Sequence, residues 1–112
     1  MKQPRQERLA RNEATFRALN ESLDEKVHSK LAGAHSNLSG FVCECGDPGC
    51  VEIVRLELDR YEQIRQDPRL FVISHGHEIP EIEDVVQRED GFLIVRKHDN
   101  VAHVVKATDP RG

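Results

Sequence analysis

The stretch FVCECGDPGC, residues 41–50, contains every cysteine of the chain: Cys43, Cys45 and Cys50. Two glycines and a proline separate the second cysteine from the third, and these residue types favour a tight turn. Such a turn gathers three sulfurs around one point, and zinc prefers four nitrogen or sulfur ligands in a tetrahedron. Buried core cysteines are not expected to cluster in this way. The stretch therefore predicts a metal site with Zn²⁺ as its cofactor.

The fourth ligand has to come from another part of the chain. The segment SHGHE, residues 74–78, follows an apolar run and offers two imidazoles in a glycine-containing turn. His77 is the predicted ligand and His75 is the second choice. The weaker candidates are the four other histidines: His28, His35, His98 and His103. An iron–sulfur cluster is disfavoured because such clusters are normally held by four cysteines.

Length and composition restrict the class of protein. The chain has 112 residues, of which 38% are hydrophobic, 4% aromatic and 32% charged, and it has no tryptophan. A small domain with so little core material gains stability from a structural metal. No apolar run approaches the length of a membrane span and the N-terminus lacks the apolar segment of a signal peptide, so a cytoplasmic location is expected. Reduced thiols in that compartment favour metal binding over disulfides.

Residues 5–31 are predicted to form one long amphipathic helix. Apolar side chains recur along it at helical spacing, beginning at Leu9 and ending at Leu31, and form a single stripe. The stripe either packs on the protein's own sheet or pairs with the helix of a partner, including a second copy of the chain. Its three heptads are too few to assure a coiled coil.

The remaining sequence alternates between strand and turn signals. The predicted strands are Phe41–Cys43, Val51–Leu58, Leu70–Ile73, Glu83–Arg88 and Phe92–Lys97. An Asp-Gly pair between the last two strands favours a hairpin. A short helix is predicted over Asp59–Gln66 with Asp59 as its cap, and Asn100–Ala107 fits a strand or a helix.

These elements predict an α+β fold with a long N-terminal helix, a small mixed or antiparallel sheet and a zinc-stapled turn. The zinc is expected to join the first strand to the turn after Ile73. The chain is divided into an N-terminal amphipathic helix over residues 1–31, a linker over 32–40 and a zinc-binding α+β domain over 41–112. The Gly- and Ser-containing linker is a candidate hinge between helix and domain.

Several strings together resemble a family of small, mainly actinobacterial proteins that has no established activity. They are FRALNE, FVCECGDPGC, LDRYEQIRQDPRLFVISHGHE, IEDVVQREDGFLIVRK and the terminal ATDPR, and they cover nearly the whole chain. The family pattern includes the three cysteines and the Gly-His-Glu string over residues 76–78. The resemblance therefore implies that His77, rather than His75, is the fourth ligand.

The leading hypothesis for function is a non-enzymatic, zinc-binding regulatory or protein-interaction module, with a partner or a second copy bound through the N-terminal helix and no membrane contact. An alternative is a nucleic-acid-binding regulator that uses the basic residues of the N-terminus: Lys2, Arg5, Arg8, Arg11 and Arg17. Another is a small zinc hydrolase in which Glu44 or Glu78 acts as a general base. No known catalytic zinc motif, such as HExxH, is present.

Overall fold

The computed structural model describes residues 5–33 and 37–111. Its helices are α1 Arg5–Ser22, α2 Glu25–Ala32, α3 Leu58–Ile64 and α4 Ala102–Ala107, and a 3₁₀ turn Asp99–Val101 precedes the last of them. Its strands are β1 Ser39–Val42, β2 Ile53–Leu56, β3 Leu70–Ile73, β4 Glu83–Arg88 and β5 Leu93–Lys97. This arrangement confirms the predicted α+β class. None of these helices is both long enough and apolar enough to cross a membrane.

The strands form two antiparallel sheets rather than one. β1 pairs with β2, and β5 lies between β3 and β4 in the second sheet. The predicted hairpin is confirmed, because β4 and β5 pair from Glu83 opposite Lys97 to Arg88 opposite Leu93, with a bulge between Val85 and Gln87. The ambiguous segment after this hairpin forms the 3₁₀ turn and α4.

The N-terminal segment is not the single long helix that its apolar stripe predicts. The helix ends at Ser22, and a second helix begins after Asp24, whose side chain accepts a hydrogen bond from the backbone N–H of Val27. An aspartate at this position satisfies a helix N–H that has no intrahelical partner. The short helix α3 also starts earlier than predicted, with Glu57 rather than Asp59 as its N-cap residue.

Helix α1 buries its polar side more completely than its apolar stripe. Glu13 and Arg17 are fully inaccessible to solvent and Asn20 is 2% exposed, whereas Leu19 is 42% exposed. The guanidinium of Arg17 lies 4.1 Å from the ring centroid of Phe71 and donates to two backbone carbonyl oxygens. The stripe is therefore only partly buried: Leu19 is exposed, whereas Leu9 packs against the core cluster that contains Ala10 and Ile82.

The ammonium of Lys97 compensates the buried acidic side chain of Glu13 on α1. It lies between the carboxylates of Glu13 on α1 and Glu83 on β4, and all three side chains are buried. Burial raises the pKa of Glu13 well above its usual range, against the opposing effect of Lys97. The cluster joins the N-terminal helix to both strands of the hairpin.

The predicted linker brings helix and sheet close together at its C-terminal end. A Cβ built on Gly40 would lie 2.6 Å from backbone atoms of Leu31 and Ala32, so only glycine permits this approach of β1 to α2. Residues 34–36, including His35, lie outside the described part of the chain. The contacts of α1 and α2 with β1 argue against a separable helical arm.

Both faces of the three-stranded sheet are covered. One face contributes Val72 and Ile94 to a core with Phe41 and Tyr61, whose rings stack at 4.2 Å. The other contributes Phe71, Ile73, Leu93 and Val95 to a core that also contains Cys43 and Cys45. The continuous apolar run of β3 is typical of a strand buried on both faces. The cysteine turn is thus attached to the core of the molecule.

Candidate metal centre

The four predicted ligands lie together in the structure. The Sγ atoms of Cys43, Cys45 and Cys50 and a ring nitrogen of His77 all lie within 4.8 Å of one another. Cys43 and Cys45 are buried, whereas Cys50 and His77 are partly exposed. The cluster therefore has a buried side against the core and an outer side at the surface.

Two tight turns bring the outer ligands into place. The N–H of Cys50 donates to the carbonyl of Asp47, and the Asp47 side chain accepts from the N–H of Gly49. Aspartate at the first position of a turn and proline at the second are typical of this geometry. In the second turn the N–H of His77 donates to the carbonyl of Ser74, and Gly76 adopts a φ of 84°. A positive φ at that position is readily adopted by glycine.

The distances within the cluster fit a tetrahedral zinc ion. Nδ1 of His77 lies 3.6 Å from Sγ of Cys43 and 3.8 Å from Sγ of Cys50. With Zn–S bonds of about 2.3 Å and Zn–N bonds of about 2.0 Å, the S···N edge of a tetrahedron is about 3.5 Å. The donor set of three thiolates and one imidazole also belongs to the sets that structural zinc sites use. The residues present therefore fit the metal that the sequence predicts.

Glu52 fixes the orientation of the imidazole. Its carboxylate lies 2.6 Å from Nε2 of His77, so Nδ1 is the nitrogen left to face the sulfurs. Metal-binding histidines commonly donate their second ring N–H to a carboxylate, which fixes the tautomer and increases the basicity of the ligand. The position of Glu52, two residues after the last cysteine, was not singled out in the sequence because a lone exposed glutamate there carries no pattern.

Backbone N–H groups stabilise negative charge on the sulfurs. The N–H of Ser74 donates to Sγ of Cys43 at 3.2 Å. The pKa of Cys43 is lowered, mainly by its hydrogen bond with Cys45 and also by this N–H. The same hydrogen bond and then burial raise the pKa of Cys45, and burial raises that of Cys50. A metal has to displace thiol protons, so affinity should increase with pH.

The N-terminal helix supports the cysteine turn from behind. The side-chain amide of Asn12 donates to the carbonyl of Gly46 at 3.0 Å. A Cβ built on Gly46 would lie 2.7 Å from Cδ1 of Ile79 and 3.3 Å from Cδ2 of Leu9. Helix α1 and the loop before β4 therefore pack closely on this glycine and restrict the path of the turn.

Glu44, between the first two cysteines, holds the cysteine turn to three other elements. Its carboxylate accepts hydrogen bonds from the Tyr61 hydroxyl at 2.6 Å, the Asn20 amide at 2.8 Å and the Val72 N–H at 3.1 Å. The N–H of Glu44 itself donates to the carbonyl of Val72. Because its oxygens are engaged and its side chain is buried, Glu44 is not free to act as a general base.

The other histidines whose positions are described have partners elsewhere. His75 faces the hairpin, where its Nε2 lies 2.7 Å from the carbonyl oxygen of Glu89. His28 is buried between two backbone carbonyls, and His98 and His103 lie beside Asp84 and Glu7. His77 is therefore the histidine that joins the three cysteines.

The basic residues predicted for a nucleic-acid surface differ in their accessibility. Arg17 is buried, and Arg5 pairs with Glu81 at 2.9 Å. Arg8 and Arg11 are exposed, and Lys2 lies outside the described part of the chain. Of the four that the structure describes, Arg8 and Arg11 are exposed without an ion pair, and nucleic-acid binding stays a prediction.

Comparisons of the chain with protein-family models, with curated proteins and with solved structures found no match. The resemblance to the actinobacterial family stays a prediction, and the assignment of the metal ligands rests on the geometry of the site.

Proposed function

We propose that this protein is a non-enzymatic, zinc-binding interaction module in which Cys43, Cys45, Cys50 and His77 form a closed structural site. The observation that carries the proposal is the placement of His77, whose Nδ1 lies at tetrahedral distances from two sulfurs while Glu52 holds its other nitrogen. Four protein ligands fill a zinc tetrahedron and leave no position for substrate. The metal would thus act by joining the cysteine turn to the turn after β3.

The proposal of structural zinc is supported by the position of the cluster in the chain. Cys43 follows β1 in the two-stranded sheet, whereas His77 follows β3 in the three-stranded sheet. A bound ion would connect the two sheets and restrict the unfolded chain, so its binding energy would contribute to folding. The buried position of Glu44 removes one of the two bases that a hydrolase would use.

Cobalt substitution tests whether the site is closed. A Co²⁺-loaded protein with three thiolates and one imidazole should show the intense absorption of a tetrahedral site, and added imidazole should leave that spectrum unchanged. The His77→Ala variant opens one position, so imidazole should alter its spectrum. His75→Ala is the matched control and should behave as the unmodified protein. A spectrum of the unmodified protein that changes with imidazole would contradict a closed site.

A further inference from the structure

The outer edge of β1 is already occupied. The Asn20 amide donates to the carbonyl of Val42 and accepts from its N–H, and Nδ1 of His28 lies 2.8 Å from the carbonyl of Gly40. Backbone groups along a strand point alternately to its two edges. The backbone N–H and C=O groups of Gly40 and Val42 therefore point towards the helices. Those of Phe41, between them, point towards β2.

The outer edge of β2 has no strand partner among the residues that the structure describes. Phe41 lies opposite Val54 in the register of the two strands, so Val54 directs its backbone groups towards β1. The residues on either side of it, Ile53 and Arg55, then direct theirs to the opposite edge. Within residues 5–33 and 37–111, no group forms a recorded hydrogen bond with these four backbone atoms. A strand edge of this kind is a template for pairing with another segment.

A groove of about 500 Å³ runs along this edge. Its walls include Leu38 and Ile53 on one side and the hairpin tip at Gly91 and Phe92 on the other. A Cβ built on Gly91 would lie 3.9 Å from the carbonyl oxygen of Arg55, so the hairpin tip lies close to this end of the edge. Leu38 is 38% exposed, which gives the groove an apolar surface.

The rim of the groove is acidic in effect, although it carries charges of both signs. The guanidinium of Arg55 donates to a backbone carbonyl, and that of Arg60 pairs with Glu89. Glu57 and Asp90 also line the groove, and neither has an ion pair within the described part of the chain. The hydrogen bond of Arg55 to a neutral carbonyl does not cancel its charge, so the three carboxylates and two guanidinium groups leave the rim with one negative charge in excess. This excess favours a cationic side chain.

The other exposed strand edge, at β4, is less suited to pairing. A bulge between Val85 and Gln87 interrupts its register, and bulges are a common protection of edge strands. β2 is a strand of four residues, Ile-Val-Arg-Leu, whose register with β1 has no bulge; it contains no proline, and Arg55 is its one charged residue.

We propose that the free edge of β2, together with this groove, binds an extended segment of a partner protein that carries alternating apolar and basic side chains. The segment adds a strand to the two-stranded sheet through Ile53 and Arg55, and its basic side chains lie beside Glu57 and Asp90. Main-chain hydrogen bonds supply affinity in such a complex, and the pockets along the edge supply specificity. This inference rests on the proposed interaction function and gives it a surface and a partner chemistry.

The test uses the full-length, ¹⁵N-labelled protein, purified without added metal, and a nine-residue acetylated peptide of alternating valine and lysine. Saturable shifts of the Ile53 and Arg55 amide resonances are expected. The same peptide N-methylated throughout its central residues should bind about tenfold more weakly or worse, because it cannot donate along the edge. A peptide with glutamate in place of lysine should also bind more weakly, and increasingly so at low salt.

Two variants locate the interaction. Gly91→Leu places a side chain in the groove at a position without positive φ, so the fold should persist while peptide affinity falls about tenfold or more. Val86→Ala, on the exposed edge of β4, should bind as the unmodified protein. Absence of saturable shifts, shifts confined to β4 or the helices, or occupation of the edge by a second copy would each overturn the inference.

Zinc content measured on the same sample separates the two proposals. A zinc-loaded protein without peptide shifts at β2 overturns the docking surface and leaves the metal module in place. A protein that binds the peptide at β2 but contains no zinc supports the docking surface and contradicts the proposed metal function.

Discussion

Replacement of Glu44 by alanine should lower the free energy of unfolding by more than the loss of one hydrogen bond would. The substitution leaves three buried N–H or O–H groups without their acceptor: the Tyr61 hydroxyl, the Val72 N–H and one N–H of the Asn20 amide, whose nitrogen keeps its bond to Val42. Each buried donor left unsatisfied costs about 1–3 kcal/mol. Loss of the Glu44 carboxyl and its hydrogen bonds should therefore reduce the free energy of unfolding by about 3–5 kcal/mol. This figure allows for the desolvation cost of the buried carboxyl, which the substitution removes.

Tyr61→Phe is the matched control, because it removes one donor and leaves the other two bonds to Glu44 intact. It should cost about 1 kcal/mol. Urea unfolding followed by circular dichroism at a fixed, saturating zinc concentration measures both values, with an unchanged m-value expected. The reasoning fails if Glu44→Ala unfolds within about 1 kcal/mol of the unmodified protein, or if the tyrosine variant loses as much stability as the glutamate variant.

Three further predictions concern the site and its support. Glu52→Gln should weaken zinc affinity about tenfold or more in a competition titration with a chelator, because His77 loses its orienting carboxylate; unchanged affinity would exclude that role. Gly46→Ala should lower stability by about 1 kcal/mol in urea unfolding, because its Cβ would force the terminal methyl group of Ile79 to move. Gly49→Ala, whose Cβ meets only ordinary contacts, should be nearly neutral, and equal losses in both would contradict the packing argument. Glu13→Gln should gain stability relative to the unmodified protein as pH rises above the ordinary glutamate pKa, because the raised folded-state pKa makes ionisation of the buried native carboxyl unfavourable. Unfolding curves across this pH range should show that the difference in unfolding free energy between the two proteins becomes small at acid pH. A difference that does not change with pH would refute the linkage.

The metal site was predictable because its signals are local. Three cysteines in one short turn and a glycine-containing turn with two histidines are visible without knowledge of the fold. The hairpin was predictable for the same reason, since an Asp-Gly pair and its flanking strands are neighbours in sequence. His77 was the first choice over His75 from the sequence itself, and the family resemblance supported that choice. The structure favours it as well, because His75 faces the hairpin.

The packing of α1 was not predictable from its own sequence. Arg17 and Glu13 have the composition of a solvated helix face, yet their partners lie at Val105 and Lys97, about ninety residues along the chain. Hydrophobic periodicity assigns charged side chains to solvent, and it cannot detect a buried opposite charge that comes from a distant strand. The break between α1 and α2 did have a local signal, because Asp24 is a favoured N-cap residue within the predicted helix.

The metal cluster and the free edge of β2 are linked by the fold. Cys50 is followed by Val51, which is 88% exposed, and then by Glu52, which contacts His77. β2 begins at the next residue. A bound metal would therefore fix the segment that leads into the proposed docking edge, so zinc removal should also weaken peptide binding there.

Zinc binding by the three cysteines and His77 is tested most directly by elemental analysis of the protein purified without added metal. The account predicts about one zinc ion per chain, retained in His75→Ala and lost or greatly reduced in Cys45→Ser and His77→Ala. Absence of zinc from the unmodified protein would contradict the account. Retention of zinc in His77→Ala together with its loss from His75→Ala would also contradict it, because the fourth ligand would then be the other histidine.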